Sequence, residues 1–135
     1  MRRKHNESRD GKGRYCRSGN GMLSHIDAYE AHPDSEVVAV CDLNEAQAKA
    51  VAEKYGISKY YTDYAEMLKD PEVNTVDITT PTFMHSAMTI QAAEAGKNIS
   101  CEKPFCLTLE DGMAACEAAK KNNVSLMVGE SYVFM

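Results

Sequence analysis

The 135 residues fall within the size of one domain, and 44% apolar with 26% charged residues matches globular averages, which excludes a collagen, a coiled coil or a wholly disordered chain. Charge is unevenly placed: residues 1–17 carry seven Lys and Arg against Glu7 and Asp10, a net +5 within a total of −5, so the rest of the chain stands at −10. An acidic body argues against a nucleic-acid surface. The longest apolar run, Val37–Cys41, has five residues where a membrane helix needs about 20, and no apolar stretch follows the basic start as a secretory signal requires. Five cysteines, an odd number without a C-x-x-C pair or a histidine at zinc-finger spacing, read as reduced cytoplasmic thiols and predict no metal site.

Residues 1–18 are expected to lie outside the folded unit, as a basic segment that is disordered or misread, and 19–135 to form one domain. From residue 22 onward, short β-branched runs alternate with helical patterns, the rhythm of a parallel sheet covered on both faces. Met22–Ala31 reads as a helix closed by His32-Pro33. Glu36–Cys41 reads as a strand, apolar without alternation because both faces are covered. Asn44 then caps a helix over Glu45–Tyr55, with Gly56 as its stop. A short strand near Lys59–Tyr61 follows, then a short helix from Asp63 as cap to Leu68, ended by Asp70-Pro71. Val73–Thr79 is the next strand, Phe83–Ala95 a helix stopped by Gly96, and Asn98–Cys101 a strand. Thr108 caps a helix over Leu109–Lys121, and Ser125–Val128 is the last strand.

Open parallel sheets bind ligands at the carboxyl ends of their strands, so the residues just after each strand are the candidates. They are Asp42, then Thr80-Pro81-Thr82, then Glu102-Lys103-Pro104, then Gly129-Glu130-Ser131. Asp42 lies 23 residues after Gly19, near the spacing of about 20 at which a carboxylate accepts both ribose hydroxyls of a dinucleotide and repels a 2′-phosphate. A plain strand-end turn residue is the other reading of Asp42.

Taken in order, several motifs resemble the N-terminal domain of the Gfo/Idh/MocA oxidoreductases: Ala28-Tyr29-x-x-His32-Pro33, Val37 to Asp42, Tyr61-Thr62-Asp63-Tyr64, Asp70-Pro71-Glu72-Val73, Thr80-Pro81-Thr82-x-x-His85, Glu94-Ala95-Gly96-Lys97, Glu102-Lys103-Pro104 and Leu126 to Gly129. The resemblance implies an α/β fold with a doubly wound parallel sheet of Rossmann type. It implies NAD as cofactor, with NADP possible, and hydride transfer at nicotinamide C4 to or from a CH–OH group of a sugar, inositol or related polyol. It also implies a homo-oligomeric full-length protein whose C-terminal domain holds the substrate. Carried over by position, Lys103 would be the catalytic hydrogen-bond donor, and Gly19, Asn20, Asp42, Thr80, Pro81, His85, Glu102 and Lys103 would hold the cofactor. For His85, packing on the loop is the alternative; for Lys103, a solvated strand-end lysine.

Two departures from the family pattern stand out. The chain stops at Met135, where the substrate domain would follow, so the expectation is a cofactor domain inactive alone. A non-catalytic dinucleotide-binding or regulatory module, and a non-functional gene fragment, are the other readings. Upstream, aligning His25 with G-x-G-x-x-[GAS]-x-x-H puts Arg17 and Met22 where the first and third small residues should stand, leaving Gly19 alone. The first strand then reads Gly13-Arg14-Tyr15-Cys16-Arg17, with arginines directed to both faces of a covered sheet. Codons that can encode Lys12–Gly19, shifted by one nucleotide, read Lys-Val-Gly-Ile-Val-Gly-Ala-Gly, so the first strand is expected to be degraded by a frame-shifted reading.

Overall fold

The computed structural model describes residues 13–18 and 24–129. In chain order its elements are β1 (Gly13–Ser18), α1 (Ser24–Ala31), β2 (Ser35–Cys41), α2 (Glu45–Tyr55), β3 (Lys59–Tyr61), α3 (Tyr64–Leu68), β4 (Thr75–Ile78), a 3-10 turn (Thr82–Met84), α4 (His85–Glu94), β5 (Asn98–Glu102), α5 (Leu109–Lys121) and β6 (Leu126–Gly129). All strand pairs are parallel, and the order across the sheet is β3-β2-β1-β4-β5-β6. That is the doubly wound Rossmann order, which reverses direction between β1 and β4.

Gly13–Ser18, which contain the segment Gly13–Arg17 read from the sequence as a degraded first strand, are the central strand of the sheet, in register with β2 on one side and β4 on the other. A strand between two neighbours has its backbone N–H and C=O groups satisfied on both sides, and that drive does not depend on side-chain type. Residues 1–12, and with them the rest of the basic segment, lie outside the described residues.

Local chemistry accounts for the helices. Asn44 accepts from the Gln47 N–H and opens α2, while Gly56, at φ 67°, closes it in the left-handed region that glycine enters without cost. Asp63 accepts from the N–H groups of Ala65 and Glu66 at the start of α3, and Thr108 from that of Asp111 at the start of α5. In α5, Glu110 and Asp111 in the first turn and Lys120 and Lys121 in the last complement the helix dipole.

Helices cover both faces of the sheet. On one side Ile26 of α1 and Ala52 of α2 meet Val37 and Val40 of β2. On the other, Met67 and Leu68 of α3 and Met88, Ala92 and Ala93 of α4 meet Ala39 and Cys41 of β2, Val76 and Ile78 of β4 and Ile99 and Cys101 of β5. A regular strand would put Val37 on the same face as Ala39. The β1–β2 register shifts between the pairs Tyr15–Val37 and Cys16–Ala39, leaving Val38 as an extra residue, and such a bulge flips the alternation.

Two buried charges tie loops to the amino ends of the strands. Lys97 is 5% exposed and donates through Nζ to the carbonyls of Asp70 (2.9 Å) and Val73 (2.6 Å). Asp70, also buried, accepts from Lys59 Nζ (2.9 Å), the Tyr61 hydroxyl (2.8 Å) and the Glu72 N–H (2.9 Å). Burial alone would push the Asp70 carboxyl up; Lys59, the Glu72 amide and Tyr61 outweigh it and hold it below its usual range. A carboxyl lowered in the folded state contributes stability above its unfolded value, and that contribution is lost as pH falls through the folded one. Asp70→Asn should therefore cost about 1–3 kcal/mol at pH 7, with the deficit shrinking below about pH 4, as read from urea unfolding at both pH values. A deficit independent of pH would refute this account.

Candidate cofactor site

At the carboxyl ends of β2 and β4 a cleft of about 910 Å³ opens, lined among others by Asp42, Leu43, Thr79, Thr80, Pro81 and Phe83. The topology places it: β2 and β4 flank β1 at the point where the strand order reverses, so the loops leaving them diverge. Asp42 continues the β2–β3 pairing through its own N–H, which donates to the Tyr61 carbonyl at 3.0 Å. Its half-buried side chain accepts the Asn44 N–H on Oδ1 at 2.8 Å, so the same turn that orients the carboxylate starts α2. Oδ2 has no partner among the described residues, leaving one carboxylate oxygen for a hydroxyl pair. Leu43 and Phe83, 84% and 72% exposed, are large apolar side chains with no core to enter; both line the cleft. A wide cleft with apolar walls and one carboxylate fits the adenosine end of a dinucleotide.

The other expected residues are distributed beyond this cleft. Thr80 and Pro81 line it, with the Thr80 hydroxyl against Met88 Sδ at 3.3 Å. His85 does not. It is 1% exposed, with Nε2 2.8 Å from the Thr80 carbonyl and Nδ1 3.0 Å from the Pro104 carbonyl, so it ties the loop after β4 to the loop after β5. Glu102 ends β5 and accepts the Lys103 N–H on Oε1 at 2.9 Å. Lys103 is exposed just beyond, and the Lys103–Pro104 peptide bond is cis. Gly19 and Asn20 lie outside the described residues. Among the described residues no group of His, Cys, Asp and Glu is placed to hold a metal ion, and no helix is long and apolar enough to cross a membrane.

One contact has no local signal in the sequence. His25, in the first turn of α1, sets Nδ1 2.9 Å from Oδ2 of Asp77 in β4 and Nε2 3.0 Å from Oε2 of Glu102. The clue available was Asp77 itself, a charge within the otherwise apolar strand Val76-Asp77-Ile78.

The Oxidoreductase family model with the NAD-binding Rossmann fold, GFO_IDH_MocA, matches residues 18–130. The chain belongs to that family. Over 97 residues it is 43% identical to scyllo-inositol 2-dehydrogenase (NAD(+)) of Bacillus subtilis, covering 72% of this chain and 28% of that protein. Over 121 residues it is 35% identical to D-apiose dehydrogenase of Paraburkholderia graminis, covering 90% of this chain and 32% of that one. Among solved structures, the WlbA dehydrogenase of Bordetella pertussis, in complex with NADH and UDP-GlcNAcA, superposes with a TM-score of 0.82 at 29% identity, over 87% of this chain and 37% of that one. The chain thus spans about a third of the length of the relatives it matches. The fold and the cofactor class, an NAD-binding Rossmann domain, follow from membership.

Beside this site, burial pushes the Cys101 thiol up to about 12, helped by the Asp77 and Glu102 carboxylates. A thiol held protonated is a poor nucleophile. In a brief iodoacetamide pulse at pH 8 mapped by mass spectrometry, the exposed Cys116 should be labelled and Cys101 spared until the chain is unfolded. Labelling of Cys101 in the folded chain at the rate of Cys116 would contradict this environment.

Proposed function

We propose that this chain is the cofactor-binding part of an NAD-dependent oxidoreductase acting on a CH–OH group of a sugar, inositol or related polyol. The observation that carries the reading is Asp42 at the end of β2, lining a 910 Å³ cleft across from Thr80 and Pro81. Bound NAD would supply the hydride acceptor at nicotinamide C4. Asp42 would bind the adenosine ribose through its unpartnered oxygen and oppose a 2′-phosphate by like charge, while Leu43 and Phe83 exclude water from the base. Lys103, one strand beyond the switch point, would stand at the reacting end and donate a hydrogen bond to the substrate oxygen. In this reading the substrate is held by a C-terminal domain outside these 135 residues, and the cytoplasm is the location, on the cysteine pattern.

Fluorescence titration of the chain with NADH and NADPH tests the Asp42 assignment. NADH should bind about tenfold or more tighter, a difference of roughly 1.4 kcal/mol, and Asp42→Ser should narrow the gap. Equal or tighter NADPH binding by the unaltered chain overturns it. Lys103 is tested in a protein that joins these residues to a substrate domain. There Lys103→Ala should lower kcat by about a hundredfold or more and change NAD affinity far less, and an unchanged kcat removes Lys103 from the reaction.

A further inference from the structure

The environment of His25 is unusual in its chemistry. Each ring nitrogen stands about one hydrogen-bond length from a carboxylate oxygen, 2.9 Å to Asp77 and 3.0 Å to Glu102. An ionised carboxylate only accepts, whereas a neutral imidazole carries one N–H and one bare nitrogen, whose lone pair would face an oxygen lone pair. With both carboxylates ionised, both contacts are attractive together only when the ring carries both protons. Asp77 supplies a second, independent reason: its side chain is 1% exposed and Oδ1 has no hydrogen-bond partner among the described residues, so a negative charge there would need the cation at Oδ2. Glu102 then has both oxygens engaged, Oε2 by His25 and Oε1 by the Lys103 N–H.

We propose that His25 is a positioning residue: held as an imidazolium between Asp77 and Glu102, it fixes Glu102 against the Lys103 amide and so sets the Lys103 backbone at the reacting end of the site. Among the described residues, the charged and titratable groups facing the ring include Asp77 from β4 and Glu102 from β5, with the protonated Cys101 thiol beside both. A cation in the first turn of α1 opposes the helix dipole, so the two carboxylates must hold it there. When the ring loses the Nε2 proton, on the side of the more exposed Glu102, that contact becomes a lone-pair repulsion and Glu102 is released from the tie. The side chain is 27% exposed, which gives solvent protons access to it.

NMR titration of the cofactor-free chain between pH 5 and 10 is the direct test, since it requires no variant and no ligand. The His25 ring should titrate a unit or more above the ordinary value of about 6.5, and the Lys103 amide should shift with the same midpoint. His25→Gln should abolish that midpoint at Lys103, and His25→Lys, which keeps a cation, should hold the amide at its low-pH position. A ring titrating near the ordinary value, or a Lys103 amide indifferent to it, overturns the proposal. Its link to the cofactor rests on the function proposed above and is read separately. NADH affinity should fall about threefold or more across the midpoint in the unaltered chain and stay flat in His25→Gln. NADH binding that is equally tight on both sides overturns that link, whereas no NADH binding at any pH sinks the cofactor reading and leaves the NMR result to decide the role of His25.

Discussion

The pairing of β1 with β4 is the contact on which the rest of the molecule depends. Strands added after β1 move outward to β2 and β3, and strands added after β4 move outward the other way, so the two halves wind apart from that seam. Helices following β1 and β2 cover one face and those following β3, β4 and β5 the other, because each must return the chain to the amino end of the next strand. At the carboxyl ends the loops part, and the cleft beside Asp42 is the space left between them. Asp42, Thr80, Pro81, Glu102 and Lys103 each stand within three positions of a strand end, so their location follows from topology and only their chemistry from residue type.

That division explains how much could be read in advance. Helices α2 and α5 run as their caps predict, because Asn44, Gly56 and Thr108 act on backbone groups a few residues away. Strand limits are less legible. The expected strand Val73–Thr79 is confined to Thr75–Ile78, since Val73 is already engaged in the Asp70 turn, its N–H donating to the Asp70 carbonyl, and its own carbonyl is taken by Lys97. Helix α4 begins after a 3-10 turn because Met84 bonds back to the Pro81 carbonyl. Asp42, Thr80 and Pro81 could be found by combining strand ends with residue type. The bridge from His25 to Asp77 spans 52 residues and leaves no periodic trace, and His85 looked as suited to a ligand as to the two carbonyls it joins.

Buried polar groups do a common task here. Lys97 joins the start of β5 to the turn before β4, Asp70 joins that turn to β3, and His85 joins the loops after β4 and β5. Apolar packing fixes distances between layers but is non-directional, whereas a hydrogen bond to a carbonyl fixes a loop in one orientation. These struts lie at both ends of the strands.

The two borders of the sheet are not equivalent. β3 is three residues long and begins with Lys59, whose ammonium is committed to Asp70 and Glu72, so that border is short and charged. β6 is the last strand on the other side, with Met127 66% exposed and Leu126 and Val128 half-buried around it. Unpaired backbone groups along an apolar border are a template for another strand, and a short charged border is a poor one. Among the described residues, the β3 border is thus the poorer template for a further strand and the β6 border the better one.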